Sequence, residues 1–179
     1  MISRYSFLLF ILAAGTTFSG GQSARIADLQ PQLRQALAHD DACVAGSTGD
    51  ISNQALQSPV ETEEIRAGGH AEGVIAAPQD ACDCRQGNCS TFVYLKSDGG
   101  YKLALEEHFA SLHAMKIVKH GLPSLSGKFQ VTPVQEETTV FDWSGKQYEP
   151  SLCATVTQRK NIRLPSIARH PCTQPARRD

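Results

Sequence analysis

The sequence predicts a mainly β protein, an antiparallel sandwich or barrel-like sheet with one N-terminal helix, stapled by disulfides. Three observations carry that expectation. Residues 60–157 break into short β-favouring runs separated by Gly-containing turns at close spacing. Six cysteines follow a segment built like an export leader, and an even count in an oxidising compartment reads as three disulfides. Ahead of the β run, one stretch repeats its apolar residues at a helical period.

The elements follow in order. Arg4 supplies the positive start of the leader and Phe7 to Ala14 its apolar core. Ser19 with Gly21, or Gly21 with Ser23, suits the small residues of a cleavage site, and residues 1–23 are assigned as signal peptide. The apolar run is shorter than the roughly 20 residues that span a bilayer, so the mature chain is expected to be periplasmic or secreted, off the membrane. Residues 24–59 are read as a helix and a loop. Ile26, Leu29, Leu33, Ala36 and Leu37 share one helical face, and Pro31 suits a first turn, which places the firm helix from about Gln30 to His39. The Gly-, Ser- and Asp-rich stretch from Asp40 to Pro59 has no period and reads as a loop pinned by Cys43.

Strands are expected at Val74–Ala77, Thr91–Lys96, Tyr101–Leu105, Leu112–Val118, Lys128–Val134, Thr138–Trp143 and Leu152–Thr157. Ser97-Asp98-Gly99-Gly100 is a strong hairpin signal between two of them. Residues 158–179 form a basic tail, with six Arg or Lys against one Asp, whereas residues 25–88 hold ten acids against four basic residues. The even overall charge, 17 Lys and Arg against 18 Asp and Glu, argues against nucleic acid as a partner.

Cys43, Cys82, Cys84, Cys89, Cys153 and Cys172 are all assigned to disulfides. Cys82 and Cys84 are too close to pair with each other, so Cys89 takes one of them. Cys153 with Cys172 would close the tail into a loop worth up to about 3 kcal/mol. Cys82-x-Cys84-x4-Cys89 lacks the paired spacing and the nearby histidine of a zinc site, so no metal and no cofactor are assigned. His108, His113 and His120 could place two rings on one strand face, with the third opposite. No nucleophile-elbow, zincin, phosphate-loop or dinucleotide motif is present, and no catalytic residue is assigned.

The segments Ser126-Gly127-Lys128-Phe129 and Ser144-Gly145-Lys146-Gln147-Tyr148 both carry Ser-Gly-Lys followed by an aromatic. At a turn, that combination presents a hydroxyl, a cation and an aromatic anchor to a carboxylate-lined cleft. These residues are taken as partner-binding: Ser126, Gly127, Lys128, Phe129, Ser144, Gly145, Lys146 and Tyr148.

Two resemblances sharpen the functional expectation. With its export leader, cysteines and Ser-Gly-x-Tyr-like loops, the chain resembles the bacterial periplasmic lysozyme inhibitors, those of invertebrate-type lysozyme in particular. That resemblance implies a non-enzymatic protein whose loops plug the cleft of a cell-wall hydrolase. Ser126, Gly127 and Phe129 would match one loop, and Ser144, Gly145, Lys146 and Tyr148 the other, with one extra residue before the tyrosine. Through its cysteine-bounded turn, Gly100-Tyr101-Lys102-Leu103 and the Phe141-x-Trp143-x-Gly145-Lys146-x-Tyr148 hairpin, the chain from Cys82 through Tyr148 is also similar to a set of small exported bacterial proteins of no known function. The alternative rests on Asn88-Cys89-Ser90-Thr91-Phe92-Val93-Tyr94, which resembles the nucleophile segment of the NlpC/P60 peptidoglycan cysteine peptidases. It would make Cys89 a thiolate at the start of a helix, activated by a histidine. A third reading is a structural envelope protein with no specific partner chemistry.

Overall fold

A computed structural model describes residues 22–45, 51–80, 82–158 and 165–172. The predicted leader therefore lies outside the described residues, apart from Gln22 and Ser23, and so do Arg159, Lys160, Arg163, Arg177 and Arg178 of the basic tail. Among the described residues, eleven strands form two antiparallel sheets that face each other as a sandwich rather than a closed barrel. The first sheet holds β1 (Gln22–Arg25), β2 (Pro59–Ala67), β3 (His70–Pro78), β4 (Cys84–Arg85), β5 (Asn88–Ser97) and β6 (Gly100–Phe109). The second is a five-strand meander: β7 (Ser111–Lys119), β8 (Leu122–Thr132), β9 (Gln135–Trp143), β10 (Tyr148–Thr157) and β11 (Ser166–His170).

Helices cover the outer face of the first sheet. The predicted helix is α1 (Pro31–Asp40), opened by Pro31 at its first position, where the missing N–H costs nothing. The stretch predicted as loop adds two short helices, α2 (Ala42–Ala45) and α3 (Asn53–Gln57). Ser52 caps α3 by accepting the Ala55 N–H at 3.0 Å. The basic tail supplies β11, the edge strand paired with β10.

Two cores result, one on each face of the first sheet. Alternation along β5 sends Phe92 and Tyr94 toward Leu33, Leu37 and Val44 of the helical layer. Val93 and Leu95 point the other way, into the sandwich with Ile65, Ile75, Leu125 and Phe141. A strand covered on both faces needs an unbroken apolar run, which Phe92–Leu95 offered within the predicted Thr91–Lys96 strand.

The predicted disulfide count holds, and the pairing is Cys43–Cys82, Cys84–Cys89 and Cys153–Cys172. The first ties α2 to the turn before β4, the second closes the β4–β5 hairpin, and the third anchors the chain beyond β11 to β10. Cys43 and Cys82 are 39 residues apart, and closing a loop of that size removes about 4 kcal/mol of unfolded-state entropy in the chain-entropy model.

One expectation needs correction. Ser126-Gly127-Lys128 is not a turn: it lies inside β8, paired with both β7 and β9. The turn comes earlier, where His120 and Gly121 take φ values of 49° and 91° between the paired residues Lys119 and Leu122. Two successive left-handed residues make the tight hairpin turn that matches strand twist. Gly127 serves packing instead. A Cβ there would lie 2.4 Å from Phe109 Cε1, so the missing side chain lets that ring seat against Phe141, with centroids 5.7 Å apart.

Gly127→Ala is expected to cost roughly 1–3 kcal/mol by overpacking Phe109, read as a lower denaturant midpoint with unchanged slope. Adding Phe109→Leu should recover part of the loss. An unchanged midpoint in the single variant would show that the ring does not need the space.

Candidate functional site

The two sheets open at the end where the β5–β6 hairpin meets the β9–β10 turn. A cleft of about 260 Å³ lies there, lined by Leu95, Lys96, Lys102, Ala104, Trp143 and Lys146, among others. The predicted hairpin signal builds one wall. Asp98 and Gly99 form the turn, Ser97 pairs with Gly100, and the register sets Lys102 opposite Leu95. Leu95 packs into the sandwich core, so its cross-strand partner Lys102 takes the same face and carries its ammonium to the mouth of the cleft.

The other wall is the predicted Ser144-Gly145-Lys146 turn. Gly145 has φ of 94°, a conformation that favours glycine. Ser144 Oγ donates to the Gln147 carbonyl at 2.8 Å, so its proton is spent inside the turn rather than offered outward. Trp143 is half-buried, and its ring lies 5.3 Å from that of Tyr148. Tyr148, predicted to touch a partner, is buried, and its hydroxyl donates to the Pro123 carbonyl at 3.1 Å. Burial pushes its phenol up to about 12. Tyr148 therefore supports the indole from beneath and meets no partner itself.

Lys96, Lys102 and Lys146 are exposed and, among the described residues, none makes an ion pair. Lys102 and Lys146 beside one indole suit an anionic group with a flat or apolar part, whereas Lys96, opposite Tyr101 on the helical face of β5, borders the cleft from behind. A second open cleft, about 430 Å³, lies behind the same hairpin between Gln30, Gln32, Asp98 and Tyr101, and Lys96 borders both.

The remaining predicted residues do not join this site. Lys128 pairs with Thr138 on β9, six residues before Ser144, and Ser126 with Val140, four before it, which places the first Ser-Gly-Lys segment about 13–20 Å from the second along the strand. Ser126 is half-buried and Gly127 buried, whereas Phe129 is exposed and Lys128 pairs with Glu136 at 3.4 Å. The three histidines disperse. His108 meets Ser90, His113 meets Glu63, and His120 sits in its own turn.

Cys89 is bonded to Cys84 and starts a strand, not a helix, so the nucleophile pattern lacks both its thiolate and its helix N-terminus. Cys43 Sγ, Cys82 Sγ and an Asp83 carboxylate oxygen lie within 4.8 Å of one another, but the sulfurs are bonded together. Burial first, then the Asp41 charge, push the Asp83 carboxyl up to about 8.

Lys96 was not singled out from sequence, and Lys102 and Trp143 were marked only as part of a resemblance, not as partner-binding residues. The local signal of the two lysines is the Asp-Gly hairpin that they flank. Comparison of the chain with protein-family models, curated proteins and solved structures finds no match.

Trp143 is the sole tryptophan, so its fluorescence reports the cleft alone. Iodide is expected to quench it at least about twice as well as caesium at equal ionic strength, because Lys102 and Lys146 concentrate anions. The bias should fall in Lys102→Gln/Lys146→Gln. Equal quenching by both ions would contradict a cationic cleft.

Proposed function

We propose that the chain is an exported, non-enzymatic binding protein that uses the Trp143 cleft and its lysine rim to hold a protein partner. The most specific form of this reading is an inhibitor of a lysozyme or another peptidoglycan hydrolase. One observation carries it: Lys102 and Lys146, without an ion pair among the described residues, flank an indole at the open end of the sandwich. Hydrolases that cut glycosidic bonds use a pair of carboxylates in a cleft, and projecting cations complement such a groove.

Magnitudes divide the roles. Exposed ion pairs contribute roughly 0–1 kcal/mol each, so the lysines chiefly set association rate and choice of partner. A buried aromatic anchor is worth roughly 2 kcal/mol or more, which falls to Trp143 here. Three disulfides suit an oxidising compartment, periplasmic or extracellular. Cleavage of the leader after Gly21, rather than Ser23, leaves β1 whole, because Gln22 and Ser23 pair with Thr62 and Glu61.

The oxidised protein is expected to slow the clearing of a cell-wall suspension by at least one lysozyme class at micromolar concentration. Lys102→Glu/Lys146→Glu should weaken that inhibition about 10–100-fold, and more steeply at low salt. Lys128→Ala should leave it unchanged, since Lys128 lies on the distant segment. Failure against every lysozyme class would sink the inhibitor reading. Inhibition indifferent to the charge reversal would remove the cleft from it.

A further inference from the structure

Two neighbouring apolar side chains stand outside both cores. Ile117 is 51% exposed and Val118 56%, and among the described residues they are the only consecutive pair of large apolar side chains so exposed. Neither belongs to a core cluster. They sit near the tip of the β7–β8 hairpin, in Lys116-Ile117-Val118-Lys119-His120-Gly121, every residue of which is exposed. Among the described strands, β7 ends the second sheet and pairs with β8 alone. That pairing breaks between Ala114 and Val118. It resumes only at Val118–Pro123 and Lys119–Leu122, before the left-handed His120-Gly121 turn.

Positive charge brackets the pair. Among the described residues Lys116 and Lys119 make no ion pair. Asp142 lies at the same end of β9, but its carboxylate accepts the Ser124 hydroxyl at 2.5 Å and bridges to neither lysine. The tip stands at the end of the sheet that carries the β9–β10 turn, because Val118 pairs with Pro123, whose carbonyl accepts the Tyr148 hydroxyl at 3.1 Å. Trp143 and Lys146 of that turn add an indole and a further cation to the same end.

We propose that this hairpin tip docks the protein on an anionic lipid surface. Ile117 and Val118 enter the boundary between headgroups and acyl chains, and Lys116 and Lys119 meet lipid phosphates. The composition selects lipid over a protein partner. Protein interfaces draw their strength from Trp, Tyr and Arg and are depleted in Lys, whereas the tip offers two branched aliphatic side chains bracketed by lysines. A headgroup layer needs no matching pocket: it yields to a convex finger, and its negative charge collects lysines. Long lysine stems keep their ammonium groups at headgroup level while the aliphatic side chains go deeper. Two apolar side chains and few cations make the docking weak and reversible. Among the described residues no helix is long and apolar enough to cross a membrane, and this contact lies on a bilayer rather than spanning it. It goes beyond the partner cleft and needs no hydrolase.

Co-sedimentation of the oxidised protein with vesicles at low ionic strength, in the absence of any hydrolase, tests this. Vesicles of phosphatidylcholine with about 30% phosphatidylglycerol should bind it at least about 10-fold better than phosphatidylcholine alone. Ile117→Ser/Val118→Ser should lower that binding at least about 10-fold, and Lys116→Gln/Lys119→Gln about 10–30-fold. Phe129→Ser, an exposed aromatic lost from the far end of β8, should leave it unchanged. Should the Ile117→Ser/Val118→Ser variant fail to fold, hydrogen exchange of the wild-type chain gives the same reading, with protection by anionic vesicles expected at residues 115–121. Five results would overturn the proposal: no binding to anionic vesicles, equal binding to both compositions, undiminished binding by either tip variant, an equal loss in Phe129→Ser, or no protection at the tip.

Discussion

Phe92 and Tyr94 point from β5 into the helical layer while Val93 and Leu95 point into the sandwich, so this strand cannot give up either of its covers. That double burial ranks the rest of the molecule. The helices are held because they close one core, and the second sheet because it closes the other. Each large buried side chain contributes roughly 1.5–3 kcal/mol, so baring either face would cost more than a domain of this size has in reserve. The Cys43–Cys82 bond secures the helical cover, which is built from short elements that would fray alone. The sandwich cover needs no such staple between sheets, because Ala110 carries the chain directly from β6 into β7 and donates its N–H to Lys128 at 2.7 Å.

Apolar contact alone lets two sheets slide, and two polar side chains, Asn88 buried and Glu63 partly so, prevent it. Asn88 on β5 donates to the Gln130 carbonyl at 2.9 Å and accepts the Gln130 N–H at 2.7 Å. Glu63 on β2 accepts the Ala114 N–H at 3.0 Å and meets His113 Nδ1 at 2.9 Å. Both anchors land where a register shift in β8 or β7 frees backbone groups from the ladder. Buried backbone donors must be satisfied, so each irregularity becomes a lock between sheets. The Trp143 cleft inherits this rigidity. Its lysines stand on paired strands, and its indole rests on Tyr148, which is itself tied to Pro123.

Most strands were legible because alternation and Gly-containing turns are local signals. The β5–β6 hairpin was readable from Ser97-Asp98-Gly99-Gly100, and α1 from the spacing of Leu33 and Leu37. Strand β2 was not, because Glu61, Glu63 and Glu64 mask its pattern, and Glu63 earns its place only through β7. Ser126-Gly127 read as a turn because its reason for glycine, the Phe109 ring, lies 18 residues away. The cleft was half-legible for the same cause. Lys146 announced itself beside a glycine turn, whereas Lys96 and Lys102 reach it only because two sheets from different parts of the chain dock at that end.

The proposed partner would seat on this open end of the sandwich. Hydrogen–deuterium exchange of the oxidised protein, alone and with a purified peptidoglycan hydrolase, tests it most directly. New protection confined to residues 95–104 and 143–147 is the expected result. Protection elsewhere, as at the Phe129–Val134 end of β8, or none with any hydrolase tried, would contradict it.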